Sequence, residues 1–119
     1  MSRVDEMLAR ARAQIVRYTP AEAWAAEDVL LVDLRPDDVR AKTGVIPGSV
    51  HVARSVVEWR ADPTSEWHDT SLAGKRLVLI CAEGYSSSLA AASLIQLGVD
   101  AGDLEGGFDG WVEAGLPVQ

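Results

Sequence analysis

Cys81 is the only cysteine in the chain. The stretch it opens, 81-CAEGYSSSLAAASLIQLG-98, passes from a polar loop with a central glycine into a segment that reads as a buried helix. A thiol between a strand end and a helix N-terminus has defined chemistry. Inward-facing loop N–H groups and the half positive charge of the helix end depress its pKa and favour thiolate at neutral pH. Thiolate is a nucleophile, and the same cradle suits an anion carried on that sulfur. Free cysteine at a strand end also fills space in ordinary cores, so the loop alone leaves a reactive and a packing cysteine equally open.

The elements around the loop must place Cys81 at a sheet edge. The run LVLIC (77–81) is the clearest buried strand, and VLLVD (29–33) is a second; both are continuous apolar runs suited to burial on two faces. Shorter strands are expected at 50–53 and near 100–104. Helices are expected at 3–15, 36–42, 55–60, 87–97 and 108–115, with 61–73 a surface loop. Ser2 with Asp5, and Thr19 with Glu22 around Pro20, have the spacing of helix-capping boxes. Gly44 and Gly98 stand where helices stop, Gly98 at a position that wants positive φ. Alternating strands and helices predict a parallel α/β sheet with helices on both faces, and ligands in such sheets bind at the carboxyl ends of strands. Cys81 is expected at that edge.

With 119 residues, the chain has room for one core. Its 48% apolar and 24% charged residues fit an ordered globular domain. A net charge of −7 argues against nucleic acid or an acidic membrane as partner. Neither His51 nor His68 has a neighbour at metal-ligand spacing, so no metal site is expected. Charges scattered through MSRVDEMLARARAQ leave no secretory apolar segment, and no apolar run is long enough to span a bilayer, so a cytoplasmic location is expected.

Four further motifs occur in order: Asp33-Leu34-Arg35; 44-GVIPGS-49; Cys81 through Leu89, with a five-residue loop ahead of a Ser–hydrophobic helix start; and G-G-F-x-x-W-x-x-x-G-x-P-V from Gly106 to Val118. Together they resemble the rhodanese (sulfurtransferase) family from about Thr19 to Val118. The resemblance implies a single rhodanese-like domain at 19–119, with an open sheet of about five parallel strands, preceded by a helical extension at 1–18. It also implies sulfur transfer through a persulfide on Cys81, cradled by Ala82, Glu83, Gly84, Tyr85, Ser86 and Ser87. The donor would be thiosulfate or a persulfide, and the acceptor cyanide or a thiol. No cofactor is implied.

The loop departs from the family pattern at one place. A basic residue often stands five positions after the cysteine; here it is Ser86, and Glu83 adds a carboxylate. A dianionic donor would then bind less well unless Arg54 or Arg60 supplies the missing cation. Arg35 is expected in a structural ion pair, and Tyr85 at the mouth of the site as a gate or cover. The four tryptophans and Phe108 are expected to pack. His51 is expected to be partly buried and His68 solvated. Two other readings stand beside sulfur transfer. A phosphatase resembling the cell-cycle dual-specificity enzymes would need a loop one residue longer, with arginine six positions after the cysteine, where this chain has Ser87. A non-catalytic sensor or protein-interaction module is favoured by the missing loop cation and disfavoured by retention of Cys81. The N-terminal helix is free to pack on the sheet or to serve a protein partner.

Overall fold

The computed structural model describes residues 1–119. At its centre is β4 (Arg76–Ile80), whose alternate side chains enter two different cores. Leu77 and Leu79 join the larger cluster, while Val78 and Ile80 join the smaller one around Phe108 and Trp111. All four are fully buried, which explains why this strand reads as an unbroken apolar run. The remaining strands are β1 (Arg17–Tyr18), β2 (Val29–Asp33), β3 (Val50–His51) and β5 (Ala101–Leu104). All pairings are parallel, and the spatial order is β1-β5-β4-β2-β3.

The helices are α1 (Arg3–Ala13), α2 (Pro20–Ala25), α3 (Asp37–Thr43), α4 (Val57–Ala61), α5 (Ser86–Gln96) and α6 (Gly107–Glu113). Both anticipated capping boxes form, at Ser2/Asp5 and Thr19/Glu22. Helix α5 carries Ala90 and Ala91 at zero exposure, and these small side chains let it lie close to β4 and β5. It ends as expected: Gly98 takes φ 79°, its N–H donates to Ile95 O, and Val99 N–H donates to Leu94 O. The expected 61–73 loop begins only after Ala61, the last residue of α4, and is irregular apart from a 3₁₀ turn at Thr70–Leu72; another such turn, Arg54–Val56, precedes α4.

The N-terminal region departs furthest from expectation. Helix α1 stops at Ala13 rather than residue 15, because the chain turns at Gln14 and Ile15 to bring Val16 to the sheet, where Val16 O accepts the Asp103 N–H. Of its apolar stripe only Ala11 is buried, and Val4 and Met7 are exposed. Strand β1, which had no sequence expectation, pairs Arg17 with Asp103 and Tyr18 with Leu104 as the edge of the sheet. The expected boundary between residues 18 and 19 thus falls directly after a strand of the common sheet. No helix is long and apolar enough to cross a membrane.

Candidate active site

Cys81 lies one residue past β4, and its sulfur takes the place of a helix cap. Tyr85 occupies the N-cap position of α5 without a side-chain capping bond, so the first-turn N–H groups need another acceptor. Ser87 N–H points at Sγ from 3.4 Å and Gly84 N–H from 3.2 Å, with Ser87 Oγ at 3.2 Å. From the other side α6 fixes the loop backbone, as Phe108 N–H donates to Cys81 O and Asp109 N–H to Ala82 O. Burial pushes the thiol up. Hydrogen bonding with the Ser87 and Ser86 hydroxyls and from the Ser87 and Gly84 N–H groups outweighs it and holds the thiol below its ordinary value.

Gly84 must be glycine. Its φ is 91°, and a Cβ there would sit 2.9 Å from Gly106 N and 3.3 Å from Arg17 Nη2. Its N–H faces the sulfur while its carbonyl faces backward, where Arg12 Nη2 donates at 2.8 Å and Arg17 Nη2 at 3.0 Å. Basic residues therefore do support the cysteine loop, from behind and from the N-terminal segment. Arg12 also lies 5.6 Å over the ring of Tyr85, which is exposed at the loop tip.

Sequence reasoning missed this hub, whose centre is Asp103, fully buried in β5. Arg17 Nε donates to its Oδ1 at 2.9 Å, and the hydroxyls of Ser87 and Ser88 reach its Oδ2 at 2.8 and 2.7 Å. One signal was present: a carboxylate inside an expected strand of a sheet covered by helices on both faces demands a partner.

In front of the sulfur opens a cavity of about 510 Å³, walled by Leu34, Pro36, Val39, Ala53 and the polar side chains of Arg54, Ser55 and Ser86. Arg54 lines it and also pairs with Glu58. Arg60 does not line it: the guanidinium is turned to Trp67 O and Asp69, because α4 points it into the 61–73 loop. Glu83 lines an adjoining cleft with Phe108 and Asp109. Arg35 forms the expected structural pair, gripping Asp33 through Nε and Nη2 and stacking 3.7 Å from the centre of the Phe108 ring. His51 is half-buried against Arg35 O. His68, expected to be solvated, is half-buried with Nε2 closed off, because the loop folds back on its own Asp62, Ser65 and Asp69 turns. Trp111 packs at zero exposure, whereas Trp24, which meets it edge-on, and Trp59 and Trp67 all lie more than half exposed rather than packed.

An open parallel sheet with a lone cysteine in a loop of inward N–H groups ahead of a buried helix defines an α/β domain with a nucleophile site at the sheet edge, and the match with the rhodanese-like domain family over residues 19–114 places the chain in that family. Thiosulfate sulfurtransferase GlpE of Actinobacillus succinogenes is 31% identical over 105 residues, covering 85% of this chain and 87% of that protein. A Rhodopseudomonas palustris structure, of a protein of unknown function described as a possible tyrosine phosphatase, superposes with a TM-score of 0.91 at 32% identity, covering 100% of this chain and 96% of that one. A polysulfide-sulfur transferase homodimer from Wolinella succinogenes superposes with a TM-score of 0.71 at 25% identity, covering 97% and 85%. The family match begins at Thr19, so Arg12 and Arg17 lie outside it.

Proposed function

We propose that the protein is a sulfurtransferase that carries sulfane sulfur on Cys81. The observation that carries this reading is the sulfur itself, held at the N-terminus of α5 by the Gly84 and Ser87 N–H groups and open to a cavity in front. Cys81 thiolate attacks the outer sulfur of thiosulfate; the S–S bond of the donor breaks, sulfite leaves with its electron pair, and Cys–S–S⁻ remains. Cyanide or a thiolate then attacks the terminal sulfur, regenerating Cys81 thiolate and forming thiocyanate or a new persulfide. Negative charge is conserved in both steps, and the loop N–H groups stabilise it. No step calls for a cofactor. The likeness to GlpE supports thiosulfate as a donor, and a protein-bound persulfide is the alternative.

The description of the Rhodopseudomonas palustris relative favours a phosphatase as second reading. Against it, the residue six positions after Cys81 is Ser87, and Arg12 and Arg17 are committed to the back of the loop at Gly84 O. A transferring phosphoryl group would lack its guanidinium clamp. The reading as a non-catalytic module predicts neither activity. One preparation tests all three: thiocyanate formation from thiosulfate and cyanide is measured beside release of phosphate from an aryl phosphate. The wild type is expected to form thiocyanate and to gain one sulfur atom in mass on donor alone; Cys81→Ser, still folded, is expected to do neither. Thiocyanate formation by pure Cys81→Ser would sink the mechanism, and phosphate release by the wild type would favour the phosphatase.

A further inference from the structure

The Ser87 hydroxyl has one proton and two acceptors. Asp103 Oδ2 lies 2.8 Å from Oγ, and Cys81 Sγ lies 3.2 Å away on the other side. Asp103 is ordinarily an acceptor only, so with the carboxylate ionised each serine hydroxyl that bonds it must donate. While Ser87 donates there, its oxygen can only accept the Cys81 S–H; it can donate to anionic sulfur only by releasing Asp103.

We propose that Asp103 is a positioning residue that competes with the Cys81 sulfur for the Ser87 proton, and that Ser88, Arg12 and Arg17 set how strongly it competes. On this arrangement, ionisation sends the Cys81 proton to a solvent base. The Ser87 O–H then turns from Oδ2 to Sγ, and Asp103 is left with Ser88 and Arg17. The carboxylate keeps two partners in the second state, at 2.7 Å from Ser88 and 2.9 Å from Arg17, so the exchange leaves no buried charge bare. Arg12 Nε donates to Ser88 Oγ at 3.1 Å, and of the two acceptors within reach of that hydroxyl's proton Asp103 Oδ2 is nearer, at 2.7 Å against 3.3 Å for Gly84 O. The N-terminal segment, outside the matched family region, thereby becomes part of the sulfur site.

Other charged groups face the loop but do not bond the sulfur. Arg35, bound to Asp33, and Arg54, bound to Glu58, stand across the cavity. Glu83 and Tyr85 belong to the loop itself, and Asp109 comes from α6. Their electrostatic effects persist in variants of the hub, so they do not disturb a comparison among those variants.

The inference rests on Cys81 being the working sulfur, but its test requires no sulfur donor. The rate of alkylation of Cys81 by iodoacetamide, followed across pH, reports the thiolate fraction. Asp103→Asn is expected to raise that rate several-fold on the acidic limb, because it frees the Ser87 proton, removes a negative charge and leaves Arg17 unopposed. Those three effects share a sign, so the cycle with Ser87→Ala separates them: the Asp103→Asn increase is expected to shrink markedly in the Ser87→Ala background. An equal increase in both backgrounds would overturn the proposal in favour of plain charge. Ser88→Ala covers the case in which Asp103→Asn does not fold. Ser88 makes no bond to the sulfur, yet its loss leaves Asp103 more dependent on Ser87 and is expected to slow alkylation at a given pH. Unchanged or faster alkylation in folded Ser88→Ala overturns the proposal. Sulfur transfer measured on the same samples can fail without changing either result.

Discussion

Arg54 is the one guanidinium that both lines the Cys81 cavity and keeps much of its side chain, 38%, in solvent. Its bond to Glu58 is a partly exposed i,i+4 pair, and surface pairs contribute about 0–1 kcal/mol, so a dianionic donor can displace the carboxylate. A charge-assisted hydrogen bond contributes about 1.5–3 kcal/mol. After the displaced pair is subtracted, about 0.5–3 kcal/mol remains, so Arg54→Ala is expected to raise KM for thiosulfate by at least about twofold and at most about a hundredfold, with a smaller effect on kcat. Arg60→Ala is expected to leave both parameters unchanged, since Arg60 serves the Trp67 carbonyl and Asp69. Steady-state kinetics of the two variants decide the matter; similar losses in both would mean that the cavity does not discriminate between them. Ser86 sharpens the point. It lines the same cavity without a charge, so a small anionic donor depends on Arg54, the α5 N-terminus and the loop N–H groups.

The joint between β2 and α3 shows how one buried carboxylate organises two elements. Asp33 receives Arg35 through three nitrogens, the backbone N–H, Nε and Nη2, and Arg40 through Nε at 3.1 Å, while Arg35 continues to Thr43 Oγ1 and Gly44 O. These bonds fix the chain as it leaves β2, placing Leu34 and Pro36 on the wall of the sulfur cavity. Burial pushes the Asp33 carboxyl up, but the hydrogen bonds and charge of Arg35 and the bond from Arg40 outweigh it, leaving Asp33 below the ordinary aspartate value of 3.8. The folded form therefore binds this proton less readily than the unfolded form. Its stabilisation is fully present above pH 3.8 and is lost as pH falls through the depressed folded value. Removing one partner of such a pair costs about 3–5 kcal/mol. Asp33→Asn is thus expected to lower stability by that order at neutral pH and to flatten the acid limb, because the variant has no proton to take up at this site. Urea midpoints from neutral pH down to about pH 3 test this. Parallel acid limbs in wild type and variant would exclude Asp33 as a source of the pH dependence.

Across the whole molecule, features carried by local pattern were legible in the sequence, and features carried by distant pairs were not. The buried runs of β2 and β4, both capping boxes and the Gly98 helix end each need only neighbouring residues to be recognised. The cysteine loop and its glycine were legible for the same reason. Strand β1 was not, because two residues have no periodicity and Arg17–Tyr18 becomes a strand only by pairing with β5. The contacts of Arg12 and Arg17 with Gly84 span 72 and 67 positions, a separation that leaves no local trace. Net charge was legible from composition, and it bears on how a charged donor arrives. At −7 the molecule repels a dianion at long range, while the cations near the sulfur are already paired, Arg35 with Asp33 and Arg54 with Glu58. Short-range attraction by the loop N–H groups acts only after encounter. The Debye length shrinks from about 30 Å at 0.01 M ionic strength to about 8 Å at 0.15 M, so salt removes the long-range repulsion and largely spares the short contacts. On that balance kcat/KM for thiosulfate is expected to rise over this range when an uncharged thiol accepts the sulfur, and to change little when the donor is an uncharged organic polysulfide. A fall with salt for thiosulfate would mean that the field of Arg54 and the α5 terminus reaches far enough to steer the dianion against the charge of the whole protein.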